Sequence, residues 1–560
     1  MESDILKHAL LLFFVALITS LFLTPHTEKL AEWIGAVDSP DANRKVHSRA
    51  VTRLGGIAMA IALLGALLLG ADFSRGLTAF IAGAVVVVLV GFLDDLSPMR
   101  STVKFAGQVA GASVFVLSSG FRLDSLGDLF ASGPIATGAL APVLTVFCMV
   151  GVMNALNLSD GLDGLAGGIS TIACIFFGIF AYLQGDHLSL WITVALLGSL
   201  FGFLRYNTFP AKLFMGDSGS LLLGYTLAAV AVILVQKDGV IPLAPVTVAG
   251  VLALPVIDTL FVMIRRLLHR QNPFHPDKTH LHHRLLGLGL PHAAVVPILY
   301  GATASFGSMA WGLRAFPEWV QFAAIVLLGA AVNLATFSLR RVRGLFPAAV
   351  SKENPGMSRD DRIVVRITVW MGRSVPLISW FIALGLCLPA LLSPDVPARA
   401  GVVAFGMAAF MLALYPWRSQ RVNSGICYGL MYASCVCMMG ILHFLPASAT
   451  WLGRYLNVFS GIVLVWVLLK MKVQRRHKKV MLISGFEALL IGVSLFVPTV
   501  LVPAAGFGEP VRNALLMACL ESIPLLLALK ILVRKQPRRN YVMAGSLLVG
   551  LIFLGVKGMS

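Results

Sequence analysis

The chain has 560 residues, 58% of them hydrophobic and 12% charged, with a mean hydropathy of +0.86. Soluble domains carry about 25% charged residues, so the composition excludes a soluble enzyme and describes an all-α polytopic integral membrane protein. The formal charge of +18 sits in short basic clusters between apolar runs, the pattern of the positive-inside rule, which argues against nucleic acid as a partner.

Apolar runs long enough to cross about 30 Å of hydrocarbon, or nearly so with tilt, begin with 7–23, 54–72, 76–93, 104–119, 136–156 and 166–184. They continue with 189–204, 219–236, 243–264, 294–313 and 319–339. These make a first bundle of about 11 helices. A second bundle of about 7 is expected from 375–393, 400–416, 424–445, 452–470, 481–501, 512–532 and 541–557, giving about 18 transmembrane helices in all. The run at 7–23 follows a head of mixed charge and precedes no small-residue cleavage site, so an uncleaved first span is expected. The seven cysteines all lie in apolar runs, away from metal-ligand spacing.

Loop parity gives the sides. Alternate loops carry NRKVHSRAVTR (43–53), Arg100 with Lys104, Arg205 with Lys212, RRLLHRQ (265–271), RRVR (340–343), RSQR (418–421), KVQRRHKK (472–479) and RKQPRR (534–539). The intervening loops hold Asp72, Asp124, Asp128, Asp186, Asp238, Glu318 and Asp395. Only an outside N-terminus satisfies the positive-inside rule. The same parity puts every loop rich in Asp, Asn and His on the cytoplasmic face.

Five such loops carry chemistry. RKVHSRAVTRLGG (44–56) contains Lys45, and GFLDDLSPMRSTVKFAGQ (91–108) contains the paired Asp94 and Asp95. In NALNLSDGLDGLAGG (154–168), Asn154, Asn157, Asp160 and Asp163 recur at every third position, a spacing that brings consecutive members to one side of a helical turn. RYNTFPAKLFMGDSGS (205–220) and NPFHPDKTHLHHRLLGLG (272–289) complete the set. Carboxylates gathered from separate loops favour magnesium or manganese, and magnesium takes one or two carboxylates with substrate phosphates completing its shell. Glycines let backbone amides approach an anion closely, and Lys45, Lys104 and Lys212 add positive charge. The set describes a site for a metal-bound diphosphate, where phosphoryl transfer depends on positioning and charge neutralisation. Taken singly, Asp94 and Asp95 also suit a solvated helix end, Asp217 an N-cap, and the three histidines a zinc site.

At these residues the sequence resembles the polyprenyl-phosphate N-acetylhexosamine-1-phosphate transferases, the WecA and MraY superfamily. The resemblance runs from about residue 7 to 340. It rests on RKVH and GG, GFLDDL with Lys104 and Gln108, NALNLSDGLDGLAGG, RYNTFPAKLFMGDSGS, PVIDTLFVMIRR and HPDKTHLHH. It implies transfer of a sugar phosphate from a UDP-N-acetylhexosamine to undecaprenyl phosphate at the cytoplasmic face of the bacterial cytoplasmic (inner) membrane, releasing UMP. It further implies Asp217 as the ligand of Mg2+ (with Mn2+ able to substitute), Asp94 as acceptor or orienter of the lipid phosphate's proton, Asp95 beside the metal and Lys104 on phosphate. Asp94 and Asp95 lie about 100° apart on a helix, so they are not expected to share one role. Asn157, Asp160, Asp163, Asn207 and Phe214 would line the nucleotide pocket, Lys45 would approach the nucleotide phosphates, and His280, His282 and His283 would lie against the sugar and diphosphate. The His-Leu-His-His pattern followed by Arg284 resembles the branch that uses UDP-N-acetylglucosamine or a close isomer. A homodimer is left open.

The chain is longer than the resemblance. We expect a transferase domain over 1–345, a cytoplasmic linker over 346–374 and a C-terminal extension over 375–560, with Glu487, Glu521 and His443 inside its apolar runs. The competing reading is a transporter or flippase of lipid-linked sugars. Such proteins keep their sites near the midplane between repeated halves, whereas these motifs lie on one face and appear once.

Overall fold

A computed structural model describes residues 2–34, 37–38, 51–236, 243–271 and 279–341, then 398–414, 423–443, 450–475, 509–535 and 540–559, with a few scattered residues between. The chain divides into two compact units, Met1–Ala348 and Ala349–Ser560. Lys45, the 272–278 part of the histidine loop and the expected linker over 346–374 all lie outside the described residues.

Both units are helical among the described residues, as a bilayer demands: with no water to satisfy backbone groups, the ladder must close within each segment. The first unit contains α1 (Glu2–Ile34), α2 (Gly55–Gly70), α3 (Arg75–Leu96), α4 (Ser101–Ser119) and α5 (Ala141–Ser159). It continues with α6 (Leu165–Gln184), α7 (His187–Asn207), α8 (Gly216–Gln236), α9 (Pro245–Val251) and α10 (Ala253–Leu268). The short α11 (Leu281–Gly287), α12 (His292–Leu313) and α13 (Glu318–Arg341) complete it. All eleven apolar runs expected in this region are helical, the ninth being broken: α9 and α10 meet at an 85° bend. Across both units, nine described helices are long and apolar enough to span a membrane, or ten if that bent pair is one span.

The core is built around α8, of which 89% is buried, with α6 and α7 nearly as enclosed. Lipid tails are as apolar as leucine, so helices in a bilayer associate through close packing of small residues. The crossings of α8 show this. A Cβ on Gly56 of α2 would stand 2.1 Å from the Gly219 nitrogen, and one on Gly91 of α3 would stand 2.5 Å from the Ser218 Cα. On another side, Gly224 packs directly against the Met153 backbone of α5. A two-residue hairpin between β1 (Val37–Asp38) and β2 (Val51–Thr52) covers the start of α8. Phe214 donates its amide to the Thr52 carbonyl at 2.8 Å, and Gly55 and Gly56 donate to the carbonyls of Phe214 and Met215.

The second unit contains α14 (Ala398–Leu414), α15 (Asn423–His443), α16 (Thr450–Arg475), α17 (Glu509–Lys535) and α18 (Asn540–Met559). Its own apolar core joins Tyr432, Met438, Phe459, Val463, Leu525 and Leu551. These helices coincide with five of the seven expected C-terminal runs; 375–393 and 481–501 lie mostly outside the described residues.

Candidate active site at the tip of α8

The loop before α8 turns sharply into the helix at Gly216, whose φ of +68° suits glycine. A Cβ there would stand 2.2 Å from the Arg53 carbonyl and 2.5 Å from both Asp95 oxygens. The turn delivers Asp217 and Ser218 to the first positions of the helix, where backbone N–H groups lack intrahelical partners. Asp95, buried on α3, supplies them. Its Oδ1 accepts from the Asp217 amide at 2.7 Å, and its Oδ2 accepts from the Ser218 amide at 3.0 Å and the Ser218 hydroxyl at 2.7 Å. Asp95 thus serves as a helix cap brought from a neighbouring helix.

Asp94 turns the other way. Its Oδ1 accepts from the Met99 amide at 2.6 Å, closing the turn into α4. Its Oδ2 lies 3.3 Å from Lys104 Nζ. The same ammonium lies 2.6 Å from Asp217 Oδ2. Asp217 Oδ1 accepts from Asn157 Nδ2 at 2.5 Å, and Asn157 also donates to the Ser220 hydroxyl at 2.8 Å. Two carboxylates and one ammonium, half-buried, therefore meet at one point, with α3, α4, α5 and α8 each contributing a residue. Asp217 is the most open of the three at 27% side-chain exposure.

The every-third spacing of residues 154–163 has a different outcome from the expected convergence. Helix α5 ends at Ser159, and Asp160 is its C-cap with ψ +46°. Asn154 donates to Gln108 Oε1 at 2.7 Å, Asn157 serves Asp217, and Asp163 lies past the turn, accepting from the Ala211 amide at 2.9 Å. The period survives in sequence while the side chains fan out to separate partners. Asp160 remains half-buried; burial, and after it the charges of Asp217, Asp163 and Asp95, push its carboxyl up to about 7.

Asp163 and Asn207 both lie under the loops. The Asn207 side chain, 1% exposed, accepts from the Gly164 amide at 3.0 Å and donates to the Leu213 carbonyl at 3.0 Å. The two residues pin the 160–164 turn to the 208–214 segment, as do His292, which accepts from the Asp163 amide, and Tyr300, which donates to the Gly164 carbonyl at 2.5 Å. Phe214 is half-buried in the same segment, with its backbone tied to the hairpin.

The histidine loop reaches the site through His282, which packs against Gly161: a Cβ there would stand 2.3 Å from Nε2. The ring is buried and in contact with that of His283 at 4.2 Å. Burial first, then the neighbouring His283, lowers its pKa to about 3, so the ring is neutral near pH 7. His280 is oriented from beneath by Asp258 on α10, whose Oδ2 lies 3.0 Å from Nδ1 and whose Oδ1 accepts from the Leu281 amide at 2.9 Å. Arg284, 1% exposed, completes this support with Asp258 at 3.3 Å, Asn333 at 2.6 Å and Thr336 at 3.2 Å. PVIDTLFVMIRR carries the resemblance without marking Asp258 for a role, and Asn333, Thr336, His292 and Tyr300 emerge only in the fold. An Asp inside an apolar run was the available signal for Asp258; the others carry none.

Comparison with known proteins matches residues 77–235 to the family model described as glycosyl transferase family 4. The chain is 38% identical over 319 residues to the "probable undecaprenyl-phosphate N-acetylglucosaminyl 1-phosphate transferase" of Bacillus subtilis, covering 56% of this chain and 88% of the relative. It is 34% identical over 331 residues to the "decaprenyl-phosphate N-acetylglucosaminephosphotransferase" of Mycobacterium tuberculosis, covering 53% and 80%. It is 31% identical over 322 residues to the "undecaprenyl-phosphate alpha-N-acetylglucosaminyl 1-phosphate transferase" of Escherichia coli K12, covering 56% and 86%. With residues from four helices meeting at the tip of α8 and relatives matched over most of their own length, the chain belongs to the WecA and MraY superfamily of glycosyl transferase family 4.

Proposed function

We propose that the chain transfers N-acetylglucosamine-1-phosphate from UDP-N-acetylglucosamine to undecaprenyl phosphate at the cytoplasmic face of the bacterial inner membrane, releasing UMP. The observation that carries this reading is the single cation position shared by Asp94 and Asp217 and filled by Lys104, in a chain whose relatives bear names of this activity. An oxygen of the lipid phosphate forms a bond to the sugar-linked phosphorus as the bond to the UMP oxygen breaks. Lys104 neutralises phosphate charge, and Asp94 orients the lipid phosphate or takes its proton. Asn157 holds the Asp217 carboxylate. The 160–164 turn and the histidine loop face the nucleotide and sugar.

Magnesium fits the donor chemistry. Two carboxylates already converge on one cation, and Asp217 is open enough to be approached. Magnesium takes one or two carboxylates and leaves the rest of its shell to water and phosphate, a demand that Asp217 and Asp94 together meet. Asp217, assisted by Asp94, would hold it. When bound it supplies charge neutralisation at the diphosphate.

The test is the purified full chain with undecaprenyl phosphate and a panel of UDP-sugars, assayed for UMP. Release with UDP-N-acetylglucosamine and not with UDP-glucose is expected; no release with any UDP-N-acetylhexosamine overturns the reading.

A further inference from the structure

Of the motifs that carry the resemblance, PVIDTLFVMIRR is the one whose acid the transfer reaction leaves unused. Asp258 stands in the second turn of α10 and is buried. A buried carboxylate is costly unless its oxygens are answered, and these two are answered differently. Oδ1 accepts from the Leu281 amide at 2.9 Å and from Arg284 Nη2 at 3.3 Å. Oδ2 lies 3.0 Å from His280 Nδ1. The carboxylate is the acceptor in all three contacts, so the Nδ1 atom of His280 carries a proton and donates it.

Neither donor on Oδ1 can turn round, because an amide N–H and a guanidinium only donate. Arg284 is itself fixed: it lies 2.6 Å from Asn333 Oδ1 and 3.2 Å from the Thr336 hydroxyl of α13, with Cζ 5.0 Å from the centre of the Phe261 ring of α10. The hydrogen bond made by one nitrogen of an imidazole decides what the other can do. The two nitrogens face different edges of the ring, so anchoring Nδ1 on α10 directs Nε2 away from that helix. The face of the ring is set as well. It stacks on the His282 ring, with centroids 6.0 Å and planes 8° apart. His282 in turn packs on Gly161, in the turn between Asp160 and Asp163.

We propose that Asp258 is a positioning residue of the transferase: it fixes the His280 proton on Nδ1 and holds Nε2 towards the sugar of the bound UDP-sugar. The role rests on the reading of the chain as a UDP-N-acetylglucosamine transferase. In a neutral ring anchored in this way Nε2 offers a lone pair. A lone pair suits a hydroxyl or acetamido N–H of the sugar and repels a phosphate oxygen. Arg284 serves the same end by pinning Oδ1. In Asp258→Asn those two donors keep the one remaining oxygen on their own side. The NH2 then faces His280 Nδ1, and the ring must move its proton to Nε2, where it meets another donor.

The test is steady-state UMP release by the full chain in detergent, each substrate varied in turn, with a melting curve for every variant. Asp258→Asn is expected to raise KM for UDP-N-acetylglucosamine about tenfold or more, the cost of an unmade buried hydrogen bond, and to leave KM for undecaprenyl phosphate unchanged. Adding it to His280→Ala should raise KM no further, since the effect passes through His280. Where Asp258→Asn does not fold, two other variants decide. His280→Asn keeps a donor at the Nδ1 position and loses Nε2, whereas His280→Gln reaches the Nε2 position, so His280→Gln should have the lower KM for UDP-N-acetylglucosamine. An active wild type with equal rises in both KM values, additive losses in the double variant, or His280→Gln binding no better than His280→Asn overturns this role alone. A wild type that releases no UMP removes the transferase reading and this role with it.

Discussion

Asp95→Asn separates capping from chemistry at the α8 tip. The wild-type carboxylate accepts three hydrogen bonds, at 2.7, 3.0 and 2.7 Å, from the first residues of the helix. The amide keeps one acceptor oxygen and presents an NH2 where Ser218 N–H already donates. Losing one backbone bond to a charged acceptor costs about 1.5–3 kcal/mol. Losing the negative charge at a partly buried helix N-terminus costs up to about 2 kcal/mol more. Together the expected destabilisation is about 1.5–5 kcal/mol, against about 1 kcal/mol or less for Asp217→Asn, whose side chain is partly open. The measurements are thermal unfolding of the detergent-solubilised protein, followed with a thiol-reactive dye, and kcat per folded molecule. Asp95→Asn should lower the melting temperature clearly, Asp217→Asn only slightly. An Asp95→Asn protein as stable as wild type yet inactive would refute the capping account and return Asp95 to the reacting groups.

Asp217→Asn should lose about 10²–10³ in kcat, the usual cost of one well-placed electrostatic group, and its magnesium dependence should weaken; full activity with an unchanged magnesium titration would remove Asp217 from the metal site. Gly216→Ala places a Cβ against the Arg53 carbonyl and the Asp95 carboxylate at positive φ, so it should be less stable than Gly185→Ala, which meets open space at a similar φ, when both are melted side by side. His282 has its pKa lowered to about 3 in the fold against an ordinary 6.5, so the unfolded chain binds the extra proton: native stability is complete above pH 6.5 and falls as pH drops from 6.5 towards 3. His282→Gln should therefore gain about 2 kcal/mol relative to wild type on going from pH 7 to pH 5, and parallel pH curves for the two proteins would contradict the neutral buried ring. Cysteines introduced in the 43–53 and 340–374 loops should resist an impermeant thiol reagent in intact cells, and labelling of both would reverse the assigned topology.

What could be read without coordinates follows a physical divide. Asp94, Asp217 and Lys104 stood out because charge in an apolar run is expensive and must have a use. The 100° separation of Asp94 and Asp95 already required different tasks. The Asn154–Asp163 spacing misled because periodicity presumes a continuing helix, and α5 ends at Ser159; Gly161 and Gly164 were the signal that it would. The grouping of Asp258 with Arg284, Asn333 and Thr336 was illegible because those partners lie 26 to 52 residues apart, on three different helices. The pairing of His443 with Glu521, at 2.9 Å in the second unit, was equally hidden, since nothing in two apolar runs says which helices will be neighbours.

The glycine crossings around α8 make that helix behave like a tool post: the working tip can be no better placed than the shank is clamped. Gly224 sits seven residues below Asp217, about 10.5 Å deeper in the bundle, flush against the Met153 backbone. A single methyl there has no side chain to push aside and must move a whole helix. Its displacement would then be passed up a stiff rod to the Asp217 carboxylate, where an error of about 1 Å is worth about 10² in rate. A glycine with no side chain and no contact with the reacting groups thus sets the mechanical tolerance of the site.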